Sequence, residues 1–513
     1  MKNDIFSKLL PHIRLSKVGI EKESLRVKGK TIDNSAHPFQ LGSALCNNFI
    51  TTDFSEAQLE FITPPFNTKL NNLSFLEDIH HYVTHNIGGS ILWPMSIPPY
   101  INDEEELPIA EYGSSNLGTF KRVYRNGLSN RYGRVMQAIS GTHFNYSIAN
   151  SFWEEQLEAS SMEGKLDARK SSLYFNMLRN ISRLNWIILY LFGCSPVLTK
   201  NYIPKNSRAF TKMDKATYYL PYATSLRMSK YGYRNLNREH LSVSLNTLSE
   251  YTNDLRMATL EKSKDYVGLF NKDNSLDCQI NENILQIEDE YYAIARVKSD
   301  SNEFIPNSTK LLNQGIDFIE FRSLDLNPFS RIGIDEETFL FIEVFLLHCF
   351  IKQERNFTQE DLDAIKHNDA LVAEEGRRPD IKIIVDGEKK EMKDYGKRII
   401  DEMMPIANAL DNSDDHNYTD AVEKMRQRIS NPSLTLSGRF IDEMLSSRRS
   451  FIEHGLKIAN SNRQHYLNIK ETENKNWDLL KVESHKSKMM QSNLEKSDKI
   501  SFEDFKRGYF NSK

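Results

Sequence analysis

The 513-residue sequence has few cysteines, and their spacing fits neither a metal site nor a disulfide framework. Cys46, Cys194, Cys278 and Cys349 are far apart and never form a CxxC pair. A zinc knuckle needs ligands at short spacing, and a disulfide framework usually occurs in short secreted chains. We therefore expect four reduced thiols.

Long apolar segments are also missing. The longest uninterrupted apolar run, WIILYLF at residues 186–192, is far shorter than the roughly 20 residues that a helix needs to cross a bilayer. The first residues, MKNDIFSKLLPHIRLSK, contain no apolar stretch of signal-peptide length. The sequence therefore predicts a cytoplasmic protein with no membrane partner.

No excess charge of either sign marks the chain. Its 66 Lys and Arg residues nearly balance 70 Asp and Glu residues, giving a net charge of -4, so no global positive field favours nucleic acid as a partner. The phosphate-binding motifs GxxxxGK[ST] and GxGxxG are absent too. Any anion must therefore be bound by local groups of side chains.

Acidic residues are present where core residues would be expected. In GIEKESLRV, residues 19–27, the two-residue period of a strand places Glu21 and Glu23 on the face that carries Leu25 and Val27. Two carboxylates on a buried face are costly unless a cation lies near them. An exposed edge strand paired with surface lysines remains an alternative for this stretch alone.

The same placement recurs along the chain. Glu320 and Arg322 share a face in GIDFIEFRSLDL (315–326), Glu60 interrupts AQLEFIT (57–63), and His143 lies in ISGTHFNYSI (139–148). An ion pair within one strand or a structural histidine would explain each case alone. Together with Glu21, Glu23 and Asp53, these side chains supply the oxygen donors and the single imidazole that two or three Mg²⁺ ions would need.

Arginines lie in three short motifs rich in tyrosine, serine or glycine: VYRNGLSNRYG (123–133), YYLPYATSLRMSKYGY (218–233) and EEGRRPD (374–380). The planar guanidinium fork suits carboxylates and phosphates. These arginines are therefore candidates for binding an amino acid or a triphosphate, although ordinary surface arginines remain the alternative for each motif.

The order of patterns predicts an α+β fold with a mostly antiparallel sheet, and a parallel sheet remains open. Helices are predicted at 73–87, 168–193 and 335–351, and a further strand is predicted at 283–298. Without repeats or low-complexity linkers, residues 1–440 are expected to form one catalytic body. The tail, 441–513, is rich in Lys, Glu, Asn and Ser and predicts a charged helical extension.

Seven long motifs resemble those of the proteobacterial-type glutamate-cysteine ligases in order and spacing, over about residues 15–440. They are GIEKESLRV, LGSALCNNFITTDFSEAQLEFITP, LWPMSIPPY, YGSSNLGTFKRVYRNGLSNRYG, ISGTHFNYS, YYLPYATSLRMSKYGY and FIEFRSLDLNPF. The resemblance implies a glutamine-synthetase-like curved sheet, mainly antiparallel, that lines the active site and is flanked by helices. It also implies a monomer.

The implied reaction is the first step of glutathione synthesis. ATP and Mg²⁺, with Mn²⁺ as an alternative ion, would drive ligation of the γ-carboxylate of L-glutamate to the amine of L-cysteine through a γ-glutamyl phosphate. Such chemistry requires positioning and charge neutralisation rather than a covalent nucleophile. Another ATP-dependent carboxylate-amine ligase on the same fold, or a metal-dependent hydrolase, remains open as an alternative.

The resemblance also implies a role for each matching residue. The metal ligands are expected at Glu21, Glu23, Asp53, Glu60, His143 and Glu320. Of the residues expected to act in catalysis, two, Glu21 and Glu320, are also metal ligands, and the third is Arg322. Substrate binding is expected at Tyr124, Arg125, Gln137, Arg227 and Tyr233, with Tyr124, Gln137 and Tyr233 in the cysteine pocket. Arg377 is expected near the nucleotide.

Overall fold

The computed structural model describes residues 4–160, 163–204, 209–232, 241–269, 278–411 and 416–512, without the side chains of 159–166. Its strands are β1 (Lys17–Lys28), β2 (Thr31–Ile32), β3 (Ile50–Thr52), β4 (Gln58–Ile62), β5 (Ile91–Leu92), β6 (Gly141–Ser147), β7 (Val197–Thr199), β8 (Thr211–Lys212), β9 (Thr217–Tyr219), β10 (Ala295–Lys298), β11 (Phe318–Asp325), β12 (Lys382–Val385) and β13 (Glu388–Glu391).

The α-helices are α1 (Asp4–Leu9), α2 (Lys69–Asn86), α3 (Asn116–Tyr132), α4 (Arg134–Gln137), α5 (Asn150–Ser160), α6 (Glu163–Phe192), α7 (Leu248–Leu260), α8 (Asn307–Gln314), α9 (Glu336–Ile351), α10 (Gln359–Glu375), α11 (Met392–Leu410), α12 (Asn417–Ser430), α13 (Leu436–Ser447), α14 (Phe451–Asn468), α15 (Trp477–Ser497) and α16 (Phe502–Asn511). Helices therefore occupy each of the three predicted positions.

The largest sheet has the strand order β10-β11-β6-β1-β4-β3, and every pair along it is antiparallel. Strands β2 and β5 pair with the far end of β1. The predicted α+β class with a mainly antiparallel sheet is confirmed, and the sheet does not close on itself. Such a sheet has two faces that differ in composition, because successive side chains alternate.

The rear face of this sheet is the apolar one and packs on helices α2, α6 and α9. Phe144 of β6 meets Phe339 of α9 edge to face, with ring centroids 5.1 Å apart. Helix α9 is apolar around most of its circumference, and the Asp335 side chain caps it by accepting from the Thr338 backbone N–H. With its rear face occupied in this way, the sheet presents its other face, called the front face below, to the candidate site.

The predicted strand at 283–298 is mostly wrong. Only Ala295–Lys298 is a strand, and Glu288–Glu290 form a 3₁₀ helix. The alternating acids satisfy local donors instead of extending a ladder, because Glu288 accepts from the backbone and hydroxyl of Ser308, and Glu290 accepts from Arg131. Side-chain hydrogen bonds of this kind compete with sheet pairing.

Strand β11 contains a bulge that changes its alternation. Phe321 pairs with Phe144 and Leu324 pairs with Thr142, so three steps along β11 match two along β6. One extra residue inverts the faces beyond it. Regular alternation of GIDFIEFRSLDL predicts that Leu324 shares a face with Glu320, but this prediction is wrong, because the bulge places Leu324 on the rear face.

The segment beyond residue 440 packs against the rest of the chain along several helices. Gly455 of α14 lies so close to Trp93 that an added Cβ would come within 2.1 Å of the indole. Ser484 and Ser487 of α15 are buried against the loop around Gly42. Treating 1–440 as a separate catalytic body remains a prediction.

No helix among the described residues is both long enough and apolar enough to cross a membrane.

Candidate active site

Strand pairing brings the predicted acids together on the front face. Glu21 of β1 is paired with His143 of β6, and Glu23 is paired with Glu60 of β4. Glu320 of β11 lies opposite Asn145, the next front-face residue of β6. Directly paired residues point to the same side of a sheet, so four strands contribute to one cluster.

His143 occupies the centre of this cluster. Its Nδ1 lies 3.0 Å from Glu21 Oε2 and 3.5 Å from Glu320 Oε1, while its Nε2 lies 3.7 Å from Glu23 Oε1. Asn145 donates to the second oxygen of Glu21 at 2.8 Å. The imidazole of His143 thus lies among three carboxylates, two from β1 and one from β11.

The carboxylates do not share one electrostatic environment. Burial raises the pKa of Glu23 to about 7, and the charge of Asp53 adds to this effect. Burial also raises the pKa of Glu60 well above its ordinary value, with contributions from Glu21 and Asp53. Burial and neighbouring acids therefore disfavour the ionised forms of both carboxylates unless a cation compensates their charge.

The other two acids are held in the ionised form. Burial opposes ionisation of Glu320, but Arg322, Lys298 and His143 outweigh it, so the pKa of Glu320 lies below its ordinary value. For Glu21, the His143 hydrogen bond outweighs burial and lowers the pKa. The cluster therefore combines two acids that are held in the ionised form with two acids whose pKa values are raised by burial.

The donor set fits hard divalent cations. Glu21, Glu60 and His143 each offer one ligand atom, and these three atoms all lie within 4.8 Å of one another. Oε2 of Glu320 is buried without a hydrogen-bond partner among the described residues, and Lys298 Nζ lies 3.9 Å from it. Oxygen donors with excess negative charge are typical of Mg²⁺ or Mn²⁺ sites.

Two arginines flank the acids on the β11 side. Arg322 forms an ion pair with Glu320, and the surrounding acids hold the pKa of its guanidinium above the ordinary value despite burial. Arg227, on a 3₁₀ helix at Leu226–Met228, donates from Nε to Asp325 at 2.8 Å and from Nη2 to the carbonyls of Arg322 and Leu324. Arg227 is thereby fixed against the end of β11.

Gly141 explains how Arg227 approaches the sheet so closely. A Cβ at this position would lie 3.0 Å from Arg227 Nη1. The Gly141 backbone N–H also donates to Glu23 Oε2 at 2.8 Å. A residue without a side chain therefore allows the guanidinium and the carboxylate to lie beside the same peptide group.

Asp325 holds the guanidinium of Arg227 in position by accepting a hydrogen bond from its Nε. It is buried and accepts from the Cys194 backbone N–H, the Ser195 hydroxyl and the Ser225 hydroxyl, in addition to Arg227. The predicted strand included Asp325 but gave it no role, because without the bulge it would face the core.

Helix α3 forms the wall on the β4 side. Arg125 donates from Nε to the Asp53 carbonyl and stacks on Tyr112, with its guanidinium 4.7 Å from the ring centroid. Tyr124 lies between apolar clusters that include Phe120 and Leu128. Asp53 and Arg125 are thus adjacent, as a shared site requires.

Gln137 ends the short helix α4, and its Nε2 is buried with no hydrogen-bond partner among the described residues. An unpartnered buried amide suits a polar ligand that is absent from the structure. Tyr233 lies outside the described residues. Its predicted place in the same pocket stays a prediction.

Arg377 is not joined to the carboxylates by any contact that the structure describes. It donates from Nε to the Ala223 carbonyl at 3.2 Å and from Nη2 to the Pro221 carbonyl. These contacts hold the loop that leads to Arg227, so the predicted role of Arg377 at the nucleotide stays a prediction.

Four cationic or aromatic residues near the site were missed by sequence reasoning: Lys121, Tyr292, Arg296 and Lys298. Burial lowers the pKa of Lys121 to about 8, and the nearby charge of Arg125 adds to this effect. Lys121 lies one helical turn before Arg125, so the KRVYR spacing could have identified it. Arg296, opposite Glu320, could have been found by strand alternation.

An open antiparallel sheet that gathers acids and arginines on one face defines an α+β enzyme with a carboxylate-lined active site. The glutamate-cysteine ligase family model matches residues 6–372. The chain belongs to the glutamate-cysteine ligase family, and it is an enzyme of the ligase class. Both sequence-based predictions are confirmed.

Similar proteins span nearly the whole chain. A glutamate-cysteine ligase from Alcanivorax borkumensis is 36% identical over 499 residues, covering 96% of this chain and 95% of the relative. One from Aliivibrio salmonicida is 38% identical over 500 residues, with 96% and 95% covered. Each alignment covers 96% of this chain, so it must include most of residues 441–513.

A solved structure shares the fold closely. The glutamate-cysteine ligase of Francisella tularensis, determined in complex with AMP, has a TM-score of 0.89 and 32% identity, covering 97% of this chain and 98% of that chain. A bifunctional glutathione synthetase from Pasteurella multocida has a TM-score of 0.70 at 23% identity over 91% of this chain and 54% of its own, which supports the fold alone.

Proposed function

We propose that this enzyme uses ATP to join the γ-carboxylate of L-glutamate to the amine of L-cysteine through a γ-glutamyl phosphate. The observation that carries the proposal is the convergence of Glu21, Glu60 and His143 ligand atoms within 4.8 Å, next to the Glu320–Arg322 ion pair. A carboxylate becomes an acyl donor only after activation, and phosphorylation by ATP provides that activation.

Glu21, Glu23, Asp53, Glu60, His143 and Glu320 would hold Mg²⁺, or Mn²⁺ in its place. When bound, the ions would neutralise the triphosphate and the phosphoryl group in transfer. His143 would have to be neutral at the ligating nitrogen. The raised pKa values of Glu23 and Glu60 are consistent with this role, because burial and neighbouring acids disfavour their charge and a bound cation would offset that cost.

The arginines would act on the charge of substrates and intermediates. Arg322 lies beside Glu320 and would stabilise negative charge on the acyl phosphate and its tetrahedral successor. Arg227 is held by Asp325 with Nη1 next to Gly141, so it could bind a substrate carboxylate without reorienting. Arg125 would contribute from the opposite wall.

The amine acceptor would bind near Tyr124 and Gln137, with Tyr233 as a further member of the pocket. The Nε2 of Gln137, which is buried and has no hydrogen-bond partner within the described part of the chain, could donate to the cysteine carboxylate. Arg377 would support the nucleotide side through the loop at Pro221–Ala223. We expect a monomer that works in the cytoplasm, where all three substrates occur.

The deciding experiment measures Mg²⁺-dependent ADP formation by the purified protein with glutamate, first alone and then with cysteine or other amines. We expect cysteine to stimulate ADP formation most strongly. Equal stimulation by another amine would reassign the acceptor. ADP release that needs neither amino acid would indicate a hydrolase, and a failure of cysteine to stimulate would overturn the proposal.

A further inference from the structure

The last helix, α16, lies between two segments that wall the candidate site. On one side is α3, which carries Lys121, Tyr124 and Arg125. On the other is the segment 287–304, which leads into and out of β10 and carries Arg296 and Lys298. The sequence alone predicts only a charged extension here.

Aromatic rings join α16 to both walls. The Tyr509 ring lies 5.0 Å from the ring centroid of Phe120 on α3 and 5.0 Å from that of Phe304. Phe505 stacks on Phe304 at 5.5 Å. Tyr509 is only 6% exposed, so these aromatic rings form a buried cluster rather than a contact at the protein surface.

Tyr124 belongs to the same cluster. It is partly buried against a group that contains Phe120, Val123, Ile287 and Tyr509. Tyr124 therefore packs against the cluster that Tyr509 helps to form. Because packed cores transmit small displacements, loss of the Tyr509 ring would let the Tyr124 side chain and the first turns of α3 shift.

Polar contacts fix the position of α16 relative to α3. Asn116, at the first turn of α3, donates from Nδ2 to the Ile500 carbonyl at 3.0 Å, and its backbone N–H donates to Asp498. At the other end, the Thr309 hydroxyl lies 3.4 Å from the Ser512 carbonyl. The helix is thus attached at both ends and in the middle.

The second wall connects α16 to the carboxylate cluster. Asp289, two residues beyond Ile287, lies 3.8 Å from Arg296 and 3.7 Å from Lys298. Lys298 in turn lies 3.9 Å from Glu320. A displacement of Ile287 would therefore reach the cations that hold Glu320 ionised.

We propose that α16 is a positioning element for the amino-acid end of the active site, and that Tyr509 is its central residue. It touches no reacting atom and acts through Tyr124 and Arg125 on one wall and through the segment 287–298 on the other. The assignment of that end to the cysteine acceptor rests on the proposed function. The placement of α16 between the two walls does not.

The test compares Tyr509→Ala with Tyr509→Phe, which keeps the ring, and with Arg507→Ala, an exposed control on the same helix. We expect Tyr509→Ala to raise the KM for cysteine about tenfold with kcat nearly unchanged, because the acceptor pocket loses its alignment. Tyr509→Phe and Arg507→Ala should match the parent enzyme. A last helix that loses its anchor should open locally rather than unfold the body.

A second variant covers the case in which Tyr509→Ala loses α16 altogether. A chain ending at residue 499 should show the same rise in KM, and a synthetic peptide of residues 500–513 should reverse it. Unchanged KM in both variants would overturn the proposal. A fall in kcat and melting temperature together, with no rescue by the peptide, would also overturn it by indicating general destabilisation.

Hydrogen exchange separates this inference from the proposed function. In Tyr509→Ala, exchange should accelerate in residues 116–132 and 286–298 and stay unchanged in β1 and β6. This result does not depend on which amine the enzyme uses. If the parent protein lacked cysteine-dependent activity but showed this pattern, the positioning role would stand, whereas a uniform pattern would contradict it.

Discussion

Strand β1 carries two buried groups of charge that are built differently. At one end, Arg26 donates to Asp33 at 2.8 Å and to the Ser35 hydroxyl at 3.0 Å, and its Nη2 donates to the carbonyls of Ser35, Ala36 and Glu56. In the middle, Glu21 and Glu23 face Glu60 and Glu320 with one imidazole among them. Glu21, Glu23 and Arg26 all belong to β1.

The two groups differ in the direction in which the pKa values of their acids are shifted. Burial disfavours the charge of Asp33, but hydrogen bonds from Ser90 and Ser35 and the charge of Arg26 lower its pKa. In the second group the pKa of Glu23 is raised to about 7. A group whose charges are matched within the protein stabilises the fold, whereas an unmatched group requires a ligand of opposite charge.

The largest expected effect is the loss of Arg26. Arg26→Met should lower the free energy of unfolding by about 3–5 kcal/mol, because it leaves Asp33 charged and buried without its cation. Urea unfolding measures this change. Lys28→Met, at the exposed end of the same strand, is the control and should shift the value by less than about 0.5 kcal/mol. A similar small shift for Arg26→Met would mean that the matched group is not structural.

The next effect comes from the unmatched group. Glu60→Gln should reduce ligase turnover by at least about 10²-fold, because transition-state charge loses part of its stabilisation. The metal-free variant should be as stable as the parent or more stable, since a like charge beside Glu21 and Asp53 has been removed. Steady-state kinetics and thermal unfolding measure the two quantities, with the exposed Glu388→Gln as control. Near-normal turnover would show that Glu60 is only structural.

A smaller effect on the stability of the metal-free protein is expected from a change of pH. The pKa of Glu23 is about 7 in the folded protein and near 4.5 when unfolded, so the folded state binds the extra proton. The protonation of Glu23 therefore stabilises the metal-free folded protein. This stabilisation is complete below about pH 4.5 and is lost as the pH rises through 7.

Mg²⁺ should reverse this trend. Because ligation requires the carboxylate, the apparent affinity for Mg²⁺ should fall up to about tenfold per pH unit below 7 for each proton displaced. Thermal unfolding titrated with Mg²⁺ at pH 6 and pH 8 measures the change, and Glu23→Gln should reduce the pH dependence. Equal Mg²⁺ midpoints at both pH values would contradict the interpretation.

The smallest expected effect concerns the hydrogen bonds that join Arg26, Asp33 and Ser35, and whether their contributions to stability depend on one another. The Ser35 hydroxyl donates to Asp33 at 2.7 Å, so Ser35→Ala should cost about 1 kcal/mol of unfolding free energy. In the Arg26→Met background the same change should cost a different amount, because the two residues contact one another. Strict additivity would indicate that Arg26 and Ser35 act independently.

Strand alternation made the carboxylate face predictable. The exact two-residue period places Glu21 with Glu23, and His143 with Asn145, whatever the rest of the chain does. The pairing of these strands with one another could not be predicted, because local patterns do not specify which strands become neighbours. The structure supplies that information through the register of β1 with β4 and β6.

Other features could not be predicted because they depend on distant contacts. The segment 283–294 alternates like a strand, but its acids are captured by Ser308 and Arg131. The position of Tyr509 between Phe120 and Phe304 joins residues about 200 to 390 positions apart. Such contacts leave no periodic signal in the sequence around them.

The bulge in β11 makes the length of this strand as important as its composition. If β11 kept all its residues but paired with β6 as a regular ladder, Leu324 and Asp325 would exchange faces. Arg227 would then lose its carboxylate partner, and an apolar side chain would replace it beside Gly141. The extra residue in β11 therefore allows Arg322 and Asp325, which are three positions apart, to lie on the front face together, as a regular strand would not.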